Sequence, residues 1–130
     1  VSLGAPHSAP PVGIPGVMDM TRGALTWTDE KLPGVFLAGK GVQYVTVASD
    51  LIAGNGAADR GTPNKAAYDS YRLVCGAGDV PGDGVVPLQS AHLDGATQIT
   101  MQCYHSIRPP RIDDSDPRAK WYGSDEAVDA

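Results

Sequence analysis

The 130 residues carry a net charge of −5, are 42% hydrophobic and 19% charged, and include 16 glycines and 11 prolines. That is room and apolar material for one ordinary domain rich in turns, with too little charge for a disordered chain. The acidity argues against nucleic acid as a partner, since the one basic stretch, Arg108-Pro109-Pro110-Arg111, is followed at once by Asp113, Asp114 and Asp116.

Val1-Ser2-Leu3 reads as the tail of a strand. No start methionine, signal-like segment or transmembrane run of roughly 20 apolar residues is present. The sequence therefore reads as part of a longer polypeptide, and its targeting is not legible; chloroplast and cytoplasm both stay open. Pro6, Pro10 and Pro11 make the segment after the strand a rigid loop. Residues 12 to 41 are broken by Gly13, Pro15, Gly16, Gly23, Pro33, Gly34, Gly39 and Gly41. They predict an excursion with one or two short helices, either a cap over a site or a plain surface loop.

Val42 to Ala48 is apolar at nearly every position and predicts a strand covered on both faces, as in a parallel sheet. Residues 50 to 62, with Gly54-Asn55-Gly56 and Gly61, predict a flexible loop. Thr62-Pro63 supplies a capping hydroxyl and an N1 proline for a helix over 63 to 74. Ala67, Tyr71 and Val74 share one face of it, and Gly76 stops it. A glycine-rich loop carrying Asp79 and Asp83 follows, then a short helix within Pro87 to Leu93. A strand over Ala96 to Cys103, a polar loop over 106 to 120 and a helix starting at Ser124 complete the order. Such alternation predicts an α/β fold with a mostly parallel sheet flanked by helices.

In an open parallel sheet, functional groups gather in the loops beyond the carboxyl ends of the strands. Asp83, between Gly82 and Gly84, and His105, directly after a strand, have that placement and stand 22 residues apart. A carboxylate bonded to one imidazole nitrogen fixes the tautomer and leaves the other nitrogen to take a proton from a nucleophile. A turn aspartate and a surface histidine are the plainer readings of the same residues. Asp50, just past the strong strand, and Asp79, in the same loop as Asp83, are rival acids. Asp79 can instead hold the loop through backbone N–H groups.

His7 either lines a site or packs, His92 is exposed or packing, and Tyr104 shapes a pocket or packs at a strand end. Met18 and Met20 form an acyl-binding wall or the apolar side of a turn. Ser8, Ser49, Ser70, Ser90, Ser106, Ser115 and Ser124 all lack the Gly-x-Ser-x-Gly elbow that projects a nucleophile. The three histidines show no metal-ligand spacing, and Gly76-Ala77-Gly78 follows a helix rather than the strand a phosphate cradle needs. Neither metal nor cofactor is expected. Cys75 and Cys103 allow one disulfide but read as buried free thiols.

Four stretches together resemble the C-terminal half of an α/β-hydrolase of the lipase/esterase type. Leu3-Gly4-Ala5-Pro6-His7 resembles the segment after the nucleophile helix. Gly82-Asp83-Gly84-Val85-Val86-Pro87 resembles the triad-acid loop, and Tyr104-His105-Ser106 the triad-histidine loop. Trp121-Tyr122-Gly123-Ser124 is similar to the closing helix of plant and algal members. The resemblance implies an incomplete sheet holding the last three strands. It implies Asp83 and His105 as triad acid and histidine, with a nucleophile elbow and both oxyanion donors upstream of Val1. It also implies a small-molecule ester or lipid as substrate, the N-terminal half of the same domain as partner, and residues 12 to 41 in the cap or lid position. The 34 residues between Ala48 and Asp83 make a long acid loop, which keeps Asp50 in contention. A non-catalytic binding module or pseudoenzyme, and a peptidase or acyltransferase, are the other uses of such a fold.

Overall fold

A computed structural model of the chain describes residues 1–106 and 120–129. Its elements in chain order are β1 (Ser2–Leu3), α1 (Ala24–Lys31), a 3₁₀ turn (Ala38–Lys40), β2 (Val45–Ser49) and β3 (Ile52–Ala53). They continue with α2 (Pro63–Cys75), β4 (Pro81–Gly82), α3 (Leu88–Ala91), β5 (Thr97–Met101) and α4 (Asp125–Val128). The loop expected over 106 to 120, with the Arg108 to Asp116 charges and Ser115, falls almost wholly outside the described residues.

The sheet is parallel throughout, in the order β1-β2-β5. β2 is central because its sequence tolerates burial on both faces. Alternation along it sends Val45 and Val47 to one side and Thr46 and Ala48 to the other. Val47 packs with Cys103 and Tyr122, and Ala48 with Val86 and Ala91. Val74 of α2 and Leu88 of α3 add to the Ala48 side. The result is a mixed α/β fold with a mostly parallel sheet flanked by helices. It is a partial domain: among the described residues β1 and β5 each pair on one side only, and Thr97 to Thr100 are exposed.

The strong strand is displaced from its expected span of 42 to 48. Gly41, at φ 82, closes the 3₁₀ turn, and the ladder begins only at Val45. Residues 50 to 62 are not wholly a loop. β3 pairs antiparallel with β4, Ile52 opposite Gly82 and Ala53 opposite Pro81. Two-residue strands carry no pattern of their own in the sequence, and this ribbon accounts for the long acid segment. The chain leaves β2, runs out through β3 and α2, and is brought back through β4 to the end of β2.

The helix of that detour forms as its sequence dictates. The Thr62 hydroxyl accepts from the Lys65 N–H at 3.3 Å, Pro63 occupies the first turn, and Gly76 ends the helix at φ 80. Ala67 and Tyr71 are buried against Ile52. The Tyr71 hydroxyl donates to the Ile52 carbonyl at 3.0 Å and accepts from the Gly84 N–H at 2.8 Å. One side chain thus closes both ends of the detour.

The 12–41 excursion contains α1, which buries no residue. It is organised locally: the Asp19 carboxylate accepts from the Thr21 N–H and hydroxyl and from the Gly23 N–H. These bonds hold the Asp19 carboxyl below the usual carboxylate range.

Tyr71→Phe leaves the buried Ile52 carbonyl and the Gly84 N–H without their partner, which costs about 1–3 kcal/mol of stability. Urea unfolding of the two proteins measures it; an unchanged midpoint would mean the detour is held elsewhere.

Candidate active site

The site is assembled where β2 and β5 end. The Ser49 hydroxyl, at the last position of β2, accepts from the Leu51 N–H at 3.1 Å and from the Cys103 N–H at 3.2 Å. This ties the exits of the two strands together and sets the path of the chain into Tyr104 and His105. The acid loop meets it from the ribbon side. The Asp83 N–H donates to the Val86 carbonyl at 3.2 Å, and Gly84 takes φ 97, a turn in which a side chain at position 84 would be strained.

Asp83 is 2% exposed, and its carboxylate accepts from four donors among the described residues. Oδ1 takes the Val85 N–H at 2.9 Å and the Val86 N–H at 2.7 Å. Oδ2 takes His105 Nδ1 at 2.9 Å and the Tyr122 hydroxyl at 3.2 Å. The backbone repeats the pairing: the His105 N–H donates to the Asp83 carbonyl at 3.0 Å. A carboxylate is acceptor-only, so the proton of a neutral His105 sits on Nδ1 and Nε2 keeps its lone pair.

The His105 side chain is 34% exposed. Its pKa is raised, chiefly by the hydrogen bond to Asp83 and further by that residue's charge, against an opposing effect of burial. Chemically, the arrangement is a half-exposed base whose tautomer and direction are fixed by a buried acid.

The rival acids lie elsewhere. Asp50 is exposed and accepts from the Gln102 side-chain amide. Asp79 accepts from the Gly56 N–H at 3.2 Å, so it braces its own loop against the one after β3. Tyr104 lines a small opening beside the pair, about 20 Å³, together with Ile52, Pro63 and Val85. That is room for about one water.

The other expected site residues are placed away from this opening. Met18 and Met20 border an apolar recess of about 110 Å³ with Pro6, Leu25, Leu73 and Val74. His7 borders two cavities of about 230 and 220 Å³ beneath the 12–41 excursion. Its Nε2 lies 2.9 Å from the Ser2 hydroxyl. His92 bridges β2 and β5, with Nδ1 3.1 Å from the Thr46 hydroxyl and Nε2 3.3 Å from that of Thr100. Burial lowers the pKa of both histidines, and for His7 the proximity of His92 lowers it further.

Cys75 and Cys103 are free, and only Cys103 is buried, so the expectation of two buried thiols holds for one. Cys75 is half-buried because it occupies the last turn of α2, where its thiol donates to the Ala77 carbonyl. Among the described residues no three His, Cys, Asp or Glu side chains are gathered as metal ligands. No helix among them is long and apolar enough to cross a membrane.

Two residues of the site escaped sequence reasoning. Tyr122 lies in the stretch similar to a closing helix, yet it is buried and bonded to the acid. Gly4 passes so close that a Cβ there would lie 2.7 Å from Asp83 Oδ2. The usable signal for both was an aromatic and a glycine inside stretches already singled out for other reasons.

The three histidines should titrate apart. The folded-state pKa of His105 lies above the ordinary 6.5, so its contribution to stability is complete below that pH and is lost as pH rises through the folded value. His7 and His92 lie below 6.5, so theirs is complete above it and is lost as pH falls. An NMR titration of the ring protons gives His105 the highest midpoint of the three; a His105 midpoint at or below the others would contradict this geometry. Comparisons with protein-family models, with curated proteins and with solved structures find no match to this chain.

Proposed function

We propose that this chain supplies the acid and the histidine of a serine hydrolase acting on carboxylic esters, lipid or small acyl, of the α/β-hydrolase lipase/esterase type. The observation that carries the reading is the Asp83–His105 pair: a buried, four-bonded carboxylate 2.9 Å from Nδ1 of a half-exposed imidazole. Its position beyond the ends of β2 and β5 is where an open parallel sheet places reactive groups. The order acid then histidine agrees with the chain order of that family.

In the complete enzyme the nucleophilic serine and the oxyanion donors come from polypeptide preceding Val1. That segment pairs with the open edge of β1 and is the partner of this chain. His105 Nε2 takes the serine proton as the serine oxygen bonds to the ester carbonyl carbon. The protonated imidazole, held by Asp83, then gives that proton to the alkoxy oxygen of the leaving alcohol as its bond to the carbonyl carbon breaks and the C=O bond re-forms. Water repeats the cycle on the acyl-serine, with His105 again as base and then acid. Residues 12–41 form a cap in this reading, and the Met18–Met20 recess is part of its apolar underside.

In the longer polypeptide that includes the nucleophile, His105→Ala lowers kcat on a chromogenic short-chain ester by about 10³-fold or more, and Asp83→Asn by a comparable factor. The 130-residue chain alone turns the ester over no faster than its His105→Ala variant. Full activity in either variant of the longer protein would end the hydrolase reading. Turnover of a matched peptide amide that is lost in His105→Ala would move it to the peptidases.

A further inference from the structure

The two oxygens of the Asp83 carboxylate have different surroundings. Two backbone N–H groups bond Oδ1. Three neighbours surround Oδ2. Gly4 closes one side: its N–H donates to the Val47 carbonyl at 2.9 Å, its φ is 56°, and it brings backbone where any side chain would strike Oδ2. His105 and Tyr122 donate from the other two. The Tyr122 ring is wedged in place. It packs on Val47 and Cys103, stands edge-on to His105 at 6.3 Å and 86°, and has its Cε2 2.5 Å from where a Gly4 Cβ would be.

We propose that Tyr122 is a positioning residue for the Asp83–His105 pair, its hydroxyl dividing Asp83 Oδ2 with His105 Nδ1 and so setting the direction and strength of the carboxylate–imidazole bond. The functional weight of this rests on the reading of the pair as a catalytic acid and base. A phenol on Oδ2 draws charge from the oxygen that faces the imidazole, making it a weaker acceptor. At 3.2 Å the bond is long for a hydroxyl on a carboxylate, so the effect is a moderation rather than a competition. A general base works best when its pKa lies near the operating pH. An undivided Asp83 would hold His105 protonated further into the neutral range, where it cannot accept a proton.

Among the described residues, Asp83 is the charged group that both His105 and Tyr122 contact. Cys103, Tyr71 and Asp83 face Tyr122, and Lys120 acts on Cys103. Burial pushes the Cys103 thiol up to about 11, and burial likewise raises Tyr71 and Tyr122 well above the ordinary phenol range. All three stay neutral where His105 titrates.

The test is a ¹⁵N-detected titration of the His105 imidazole in the 130-residue chain. In Tyr122→Phe, which keeps the ring and its packing, the His105 midpoint rises by about half a pH unit and the Nδ1 proton resonance moves downfield. With 3-fluorotyrosine at position 122, a more acidic phenol and a stronger donor, the midpoint falls. A purely structural Tyr122 would leave the midpoint in place in both. Unchanged midpoints, or shifts of the same sign, overturn the proposal. Should Tyr122→Phe fail to fold, the fluorotyrosine shift decides alone. Asp83→Asn separates this from the reading beneath it. If that change fails to lower the midpoint, the pair itself is wrong; if it lowers the midpoint while both Tyr122 probes are silent, only the role of Tyr122 is lost.

Discussion

A buried carboxylate must find donors or it cannot be buried. Asp83 finds four, and their sources explain much of the molecule. Two come from the turn it begins, one from the loop after β5, and one from the segment before α4. Around them, Gly4, just past the end of β1, lets the carboxylate approach the sheet. Four stretches distant in sequence thus meet at one side chain. Asparagine at this position would keep the shape but turn one acceptor oxygen into a donor facing N–H or O–H groups.

The other organising element is Tyr71. The segment between β2 and the acid loop is long enough to place Asp83 almost anywhere. The β3–β4 ribbon returns the chain, and the Tyr71 hydroxyl fastens both the outgoing strand and the acid turn to α2. The bonds from Ser49 do the corresponding work for the histidine loop. The pair is therefore held by two independent ties, one to a helix and one to the central strand. Preorganisation of this kind is what a base and its orienting acid require if they are to act without rearrangement.

Much of this is legible in the amino-acid sequence. The helix over Pro63–Cys75 follows from Thr62, Pro63 and Gly76, because caps and the helical period are local. The parallel order of β1, β2 and β5 follows from the alternation of strands with helices. The placement of Asp83 and His105 follows from glycines and strand ends. What the sequence hides is non-local. β3 and β4 are two residues each, and nothing in Ile52–Ala53 or Pro81–Gly82 announces a strand until they pair. Tyr122 looks like any aromatic near a helix start; its role depends on where Asp83 Oδ2 lies. The separation of Met18 and Met20 from the pair depends on how the 12–41 excursion folds back over α2, which its glycines leave undetermined.

The central claim is that His105, oriented by Asp83, is the base that serves a serine nucleophile. The most direct measurement is a crystal structure of the proposed longer hydrolase after treatment with a phosphonate ester that labels a nucleophilic serine. The account predicts His105 Nε2 within hydrogen-bond reach of the serine oxygen, about 2.6–3.2 Å, with Nδ1 still on Asp83. A structure that places His7 or His92 at the serine, or that finds no serine near His105, would contradict it.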